Sequence, residues 1–191
     1  MIAYLSGKLA HKDPAFVIID VAGVGYEVKI SLNTYSKLGK DEAVKLHTHL
    51  MVKEDSHTLF GFHSTAEKAL FIQLIGISGV GGNTALTILS SISPKELERA
   101  IQMEDVALLK KVKGIGAKTA GRIILELKGK LVLDSDDSGG NAMGAVRAEA
   151  LQALTALGFS KSDSEKRVDT IIGKEGEDVT VEQIIKAALR S

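Results

Sequence analysis

The spacing of apolar residues changes character along the chain. In the first third, apolar and polar residues alternate in five short stretches, which is the pattern of strands with one buried face. The stretches are IAYLSGKLAH, AFVIIDVA, GYEVKI, AVKLHTHLMV and HTLFGF, separated by the turn-forming sequences DP, GVG, LGKDE and KEDS. Five short strands at this spacing predict a small β-barrel, closed or nearly closed, over residues 1–63.

From residue 64 the apolar spacing becomes helical. It predicts about five helices over residues 64–133 and a three-helix bundle over residues 142–191. Four capping signals support these regions: Ser64-x-x-Glu67, Ser93-x-x-Glu96 with Pro94 at the first helical position, Ser162-x-x-Glu165 and Thr180-x-x-Gln183. Between the two regions, DSDDSGGN at residues 134–141 is acidic and rich in glycine and serine, which predicts a flexible linker. The fold class is therefore α+β, with several domains.

One short sequence occurs twice in the first helical region. ISGVGGNTALTIL at residues 77–89 and VKGIGAKTAGRIILEL at residues 112–127 align at an offset of 35 residues, and each has a Gly-aliphatic-Gly turn between apolar helical stretches. Such a turn lets two helices meet sharply around one buried aliphatic residue. It also leaves the amides that open the second helix free to bind an anion. Two tight helical hairpins without any ligand are the alternative interpretation.

The second copy does not fit a nucleotide-binding loop. A P-loop requires glycines at the positions that Val112 and Ala117 occupy here, so the chain has no ATPase motif of this type. A dinucleotide fingerprint requires a third glycine where Thr119 stands and a strand before the turn, whereas the preceding DVALLKKV has helical spacing. The backbone of a nucleic acid remains as the partner of these turns.

Charge is unevenly distributed although the chain has 24 basic and 24 acidic residues. Residues 1–63 have seven of each sign, residues 64–133 have ten basic and six acidic, and residues 134–191 have seven basic and eleven acidic. Basic residues are dense around the second turn: Lys110, Lys111, Lys113, Lys118, Arg122, Lys128 and Lys130 lie within residues 110–130, against Glu126 alone. A charge run is often only a solvated face. One centred on a turn with free amides indicates binding to nucleic acid.

Several absences limit the other possibilities. The chain has no cysteine, which is typical of a reducing compartment, and its N-terminus lacks the apolar core of a signal peptide. No apolar run reaches membrane-spanning length, so we expect a cytoplasmic protein. The histidines near the barrel strands have no carboxylate or cysteine spacing typical of a metal site, and we expect no cofactor.

Taken in order, these segments resemble the RuvA family, the junction-binding subunits of the bacterial Holliday-junction branch migration complex. MIAYLSGKL, GVGYEV, KEDSHTLFGF and VKGIGAKTAGRIILELKGK carry the resemblance, which covers the whole chain. It implies an OB-like barrel, two helix-hairpin-helix motifs and a UBA-like C-terminal bundle. It also implies a non-catalytic homotetramer, with one or two tetramers on each four-way junction, holding the junction open and flat in recombination and repair. The C-terminal domain would recruit the hexameric RuvB motor, and the RuvC resolvase would join a larger complex.

The resemblance also assigns residues. We expect contacts to the DNA backbone from Gly79, Gly81, Gly82, Asn83, Thr84, Gly114, Gly116, Ala117, Lys118, Thr119 and Arg122. Glu54 and Asp55, otherwise two solvated turn residues, would form an acidic pin at the crossover, where their charge opposes re-stacking of the arms. The motor would contact Leu151, Leu154, Leu157 and Phe159.

The sequence departs from the family in both turns. The first turn has Gly82-Asn83 where the family commonly has proline and lysine, and the second has Ala117 before Lys118 where two lysines are frequent. Both changes remove cationic side chains and keep the amide donors.

Two other classes of function stay open from the residues alone. A repair nuclease or glycosylase would need a catalytic acid or lysine in a pocket or a cluster of metal-binding carboxylates, whereas the acids here are scattered or lie in the predicted turn and linker. An adaptor that binds single strands would need exposed aromatic residues on its barrel. The barrel has Tyr4, Phe16, Tyr26, Tyr35, Phe60 and Phe62, most of them at positions that alternate as core residues do.

Overall fold

The computed structural model describes residues 1–39, 43–135, 142–176 and 179–190. These residues belong to two compact units, Met1–Gly129 and Lys130–Ser191. The barrel in the first unit and the helices of the second each have a hydrophobic core of their own.

Five strands form a closed barrel in the first unit, as the alternating pattern predicts. They are β1 (Tyr4–Lys12), β2 (Phe16–Val21), β3 (Val24–Ile30), β4 (Ala43–Val52) and β5 (His57–Phe62). Their order around the barrel is β1-β2-β3-β5-β4, and β1 pairs with β4 to close it. The β3–β5 pair is parallel and the other pairs are antiparallel, which is the arrangement of an OB-like barrel.

A short helix between β3 and β4, α1 (Leu32–Lys37), was not predicted from the sequence. Six residues are too few for a helical apolar period to emerge. Ser31 caps it, since its Oγ accepts a hydrogen bond from the Thr34 amide at 3.0 Å. Its far end is held by Lys12, whose Nζ donates to the Leu38 carbonyl at 2.6 Å. Most of the predicted LGKDE turn, residues 40–42, lies outside the described residues.

Five further helices complete the first helical region, in agreement with the predicted number. They are α2 (Thr65–Ile75), α3 (Gly82–Ser91), α4 (Pro94–Gln102), α5 (Val106–Lys110) and α6 (Ala117–Ser135). The capping box of Ser93 and Glu96 is complete. The box expected at Ser64 is only half formed: Ser64 Oγ accepts from the Glu67 amide at 3.2 Å, but the Glu67 carboxylate bonds elsewhere.

The Glu67 carboxylate joins the helices to the barrel. It is fully buried, and it accepts hydrogen bonds from Ser31 Oγ and, at 2.8 Å, from Thr34 Oγ1. Phe71 on the same helix packs against the rings of Phe60 and Phe62, with centroids 4.9 and 4.8 Å apart. The first turn of the repeat therefore follows a helix that is anchored on β5.

The second unit contains the predicted three-helix bundle. Its helices are α7 (Ala142–Ala156), α8 (Lys161–Glu175) and α9 (Val181–Arg190). The capping box of Thr180 and Gln183 is present. The cap predicted at Ser162 is wrong: Ser160 caps α8 by accepting from the Asp163 amide at 3.1 Å, two residues earlier.

The predicted linker at residues 134–141 overlaps the end of a helix. Helix α6 continues to Ser135, so the first two residues of that range are helical. Residues 136–141 lie outside the described residues. The linker stays a prediction.

Candidate nucleic-acid interface

The two glycine turns have the same backbone hydrogen bonds. In the first, the Val80 amide donates to the Ile77 carbonyl at 3.0 Å; in the second, the Ile115 amide donates to the Val112 carbonyl at 3.1 Å. All four of these aliphatic side chains are buried. The sequence repeat is therefore a structural repeat, in which the aliphatic residue of each turn points into the interior.

Positive φ angles explain the first glycine of each turn. Gly79 has φ +90° and Gly114 has φ +88°, a region that favours glycine. A Cβ atom built on either residue, or on Gly81 or Gly116, would meet nothing within 4 Å. The outer surface of both turns is thus open to a large ligand such as a nucleic-acid backbone.

Each turn leads directly into the first turn of a helix. The first regular helical bonds run from the Ala85 amide to the Gly81 carbonyl and from the Ala120 amide to the Gly116 carbonyl, both at 2.9 Å. The three amides before each of these bonds have no partner within a regular helix. No side chain caps α3 at Gly81. The predicted contacts Asn83, Thr84, Ala117, Lys118 and Thr119 all lie on these two helical turns.

Gly82 differs from the other predicted contacts because it is buried. A Cβ atom on it would stand 2.5 Å from Phe60 Cζ and 3.2 Å from Met51 Cε. The glycine therefore allows α3 to begin directly against strands β4 and β5. Sequence reasoning did not predict this packing role, since it depends on a contact between residues distant in the chain.

Lysine side chains are dense around the second turn. Lys110, Lys111, Lys113 and Lys118 are exposed, and within the described part of the chain none forms an ion pair. Lys128 pairs with Glu104, and its hydrogen bond and charge lower the pKa of that carboxyl. The side chain of Lys130 lies outside the described residues. The first turn has no lysine, and its exposed Asn83 is neutral.

Arg122 lies between the two turns. Its Nη1 donates to the Ser78 carbonyl at 3.1 Å, and its Nε is 3.9 Å from Glu126 Oε1. The guanidinium of the second repeat thus contacts the backbone of the first. Sequence reasoning assigned Arg122 to the DNA backbone and missed this contact.

Comparisons with known proteins agree with this architecture. The family model described as RuvA N terminal domain matches residues 1–61, and the one described as RuvA, C-terminal domain matches residues 145–191. The model described as SAM-like helix-hairpin-helix tandem matches residues 71–130, which contain both turns.

Full-length relatives decide the family. A protein of Cytophaga hutchinsonii is 50% identical over 197 residues, which cover 100% of this chain and 99% of the relative. A protein of Christiangramia forsetii is 48% identical over 192 residues, with 100% and 99% covered. Both are named Holliday junction branch migration complex subunit RuvA. The chain belongs to the RuvA family.

In this RuvA-family chain, Glu54 and Asp55 form the tip of the β4–β5 hairpin. The last strand pair before the tip is Val52 with His57, and the Lys53 amide donates to the Ser56 carbonyl at 2.8 Å. Both acidic residues are exposed, as a pin requires. Lys53 beside them gives the tip mixed charge.

The expected motor contacts of this RuvA-family chain have different environments in the second unit. Leu154 is 0% exposed and belongs to the core, so it is not available as a surface contact. Leu157 is 57% exposed, while Leu151 and Phe159 are partly buried against the core. Arg167 lies over the Phe159 ring, 5.1 Å from its centroid. Leu189, which sequence reasoning did not single out, is 55% exposed.

The described residues show neither a metal site nor a membrane-spanning helix. Among them no group of three or more histidine, cysteine, aspartate or glutamate side chains is arranged to hold a metal ion. No helix within the described ranges is long and apolar enough to cross a membrane.

Proposed function

We propose that this protein is a non-catalytic subunit that binds four-way DNA junctions as a homotetramer and recruits the RuvB ATPase for branch migration. The observation that carries the proposal is the pair of equivalent turns with open glycines and helix-opening amides, one of them surrounded by lysines. Phosphates bind at such helix starts because the amides point outward and the helix dipole favours negative charge.

Backbone binding alone does not select a junction, and we assign that selection to the pin. Gly82 at the start of α3 packs against Met51, three residues before Glu54. Strand β4 ends at Val52, and the pin is the turn that follows it. The amides proposed to bind DNA and the carboxylates proposed to repel it are therefore connected through strand β4.

The tetramer gives the pin its effect. Four chains would bring eight carboxylates near the point where the strands of the junction converge, and their repulsion would keep the arms from stacking. The turns of the same four chains would hold the arms. A single chain has only two such carboxylates, beside Lys53.

We assign recruitment of the motor to the second unit. Residues 134–191 have eleven acidic and seven basic residues, and this negative balance favours a protein partner over DNA. Leu157 and the partly buried Leu151 and Phe159 are its candidate contacts, and Leu154 supports them from the core. RuvC would join the larger complex, and we infer a cytoplasmic location together with the DNA.

The other two classes of function have less support. A nuclease or glycosylase of the kind considered would need a pocket with a catalytic acid or a metal cluster, and the described residues contain no such cluster. A base-stacking adaptor needs exposed aromatic rings. Of the six barrel aromatics Tyr4 is prominently exposed, and Lys45 Nζ lies over its ring, 4.6 Å from the centroid.

A gel-shift titration tests the proposal. A synthetic four-way junction, a linear duplex of equal length and a single strand are titrated with the protein across a salt series. We expect tighter binding to the junction, a preference that persists as salt rises, and a complex of tetramer size. Equal affinities for junction and duplex that fall together with salt would leave only a non-specific backbone binder.

A further inference from the structure

The contact between Arg122 and Ser78 breaks the symmetry of the repeat. At the offset of 35 residues, Arg122 corresponds to Thr87 and Ser78 corresponds to Lys113. Thr87 is too short to cross to the other turn, and its Oγ1 donates to the Asn83 carbonyl of its own helix at 2.9 Å. The cross-connection therefore runs in one direction, from the second repeat to the first.

The hydrogen bond from Arg122 reaches the first turn next to Gly79, the glycine whose positive φ angle shapes the turn. The Ser78 carbonyl belongs to the peptide unit that leads into Gly79, the residue with φ +90°. Glu126, one helical turn beyond Arg122 on α6, has its Oε1 3.9 Å from the Nε of the same guanidinium. The guanidinium is thus held between the helix of the second turn and the backbone of the first.

We propose that Arg122 is a positioning residue that fixes the separation of the two turns, so that their amides engage phosphates of one DNA duplex together. This inference rests on the proposed function. The first turn is already fixed to the barrel, because Gly82 packs on Phe60. Arg122 adds the link from that turn to α6, whose N-terminus carries the second set of amides. Two sites held at a fixed separation bind a rigid ligand without a further ordering cost.

The proposal differs measurably from a direct phosphate contact. A side chain that neutralises a phosphate releases a counterion, so its loss lowers the slope of log K against log salt by about 0.9. A positioning residue weakens binding without changing the number of phosphates contacted. The slope then stays the same while the affinity falls at every salt concentration.

Three variants of the full chain separate these roles. Arg122→Met removes the donor and keeps most of the apolar stem, and Lys118→Met removes a predicted phosphate contact. Lys161→Met is the matched control: it lies in the second unit, and its Nζ is 3.9 Å from Glu165 Oε1, an i,i+4 ion pair like that of Arg122 with Glu126. Binding of each variant to a linear duplex is measured across a salt series, together with thermal unfolding.

We expect Arg122→Met to lose about tenfold in affinity with an unchanged slope, the effect of one hydrogen bond from a charged donor. Lys118→Met should lower the slope by about 0.9, and Lys161→Met should change neither quantity. Hydrogen exchange adds a second measurement on the free protein. The amides of residues 78–81 should exchange faster in Arg122→Met and at the wild-type rate in both lysine variants.

Two results would overturn the assignment. A slope lowered by about 0.9 in Arg122→Met would make Arg122 a phosphate contact, and wild-type affinity with wild-type exchange would remove any role in positioning. A wild-type chain that binds neither junction nor duplex would instead reject the proposed function, so the two failures are distinguishable.

Discussion

The backbone of Gly82 lies so close to the ring of Phe60 that a Cβ atom on residue 82 would stand 2.5 Å from Cζ. Phe60 is almost fully buried, pairs with His49 across β4 and β5, and packs against Phe71. The ring therefore has little room to move. The start of α3 therefore packs directly on the barrel at Gly82, where there is no side chain to separate them. This contact also positions the first turn.

We expect Gly82→Ala to destabilise the protein by about 1–3 kcal/mol, the usual cost of overpacking a close contact. Gly121→Ala is the matched control. Gly121 lies inside α6 with nothing within 4 Å of a Cβ atom, so the same substitution should stabilise the helix by about 0.5–1 kcal/mol. Urea unfolding measures both. Equal changes in the free energy of unfolding for the two substitutions would show that Phe60 leaves room for a Cβ atom on residue 82.

The buried carboxylate of Glu67 gives a second prediction about how the helices dock on the barrel. Glu67→Ala should cost about 2–4 kcal/mol, because the Ser31 and Thr34 hydroxyls lose their shared acceptor in a buried site. Glu67→Gln should cost less, since its amide oxygen still accepts one of these bonds.

A double-mutant cycle isolates the bond to Thr34. Glu67→Gln and Thr34→Val are measured singly and together by urea unfolding, and we expect a coupling of about 0.5 kcal/mol or more. Strictly additive effects would mean that the two side chains act independently and that Glu67 contributes to docking through Ser31 instead.

Local sequence patterns predicted most of the helices, the strands and the two glycine turns. The features that they did not predict depend mainly on contacts between residues distant in the chain. The turns were predictable because glycine spacing and an aliphatic residue fix them within a few positions, as at Gly114 and Ile115. The donation from Arg122 to Ser78 joins residues 44 positions apart and has no local signal. The cap of α8 was misplaced because Ser160 and Ser162 both satisfy the local preference of a helix start.

The pKa of His49 leads to a prediction about pH. Burial lowers this pKa below its usual 6.5, and the positive charge of Lys68 lowers it further. Below pH 6.5 the unfolded chain therefore binds a proton at His49 more readily than the folded chain does. The neutral His49 ring contributes fully to the free energy of unfolding above pH 6.5, and this contribution declines as the pH falls below that value. The His49 ring packs edge-on against Phe71, with centroids 5.7 Å apart.

His49→Phe keeps an aromatic ring in that contact and removes the titration. We expect the urea midpoint of the wild type to fall more steeply than that of the variant as the pH is lowered from neutral. The other four histidines remain in both proteins and serve as an internal control. Parallel profiles would show that His49 does not contribute to the acid sensitivity.

Neutralising the pin tests whether it selects junctions. Glu54→Gln combined with Asp55→Asn should reduce the ratio of junction affinity to duplex affinity, because the repulsion that holds the arms apart is lost. Duplex affinity itself should stay equal or rise, since two negative charges leave the DNA-binding unit. Glu27→Gln, on an exposed acid of β3, is the control for the loss of one negative charge, half of the change in the double variant.

The two affinities are compared by gel shift at one salt concentration, and the arm geometry by fluorescence transfer between labelled junction arms. In the variant we expect the arms to shift toward the stacked form while the complex persists. An open junction and an unchanged affinity ratio would assign selectivity to the arrangement of the glycine turns instead. Stability should be unaffected, because both side chains are exposed and the hairpin is closed by the Lys53 to Ser56 backbone bond.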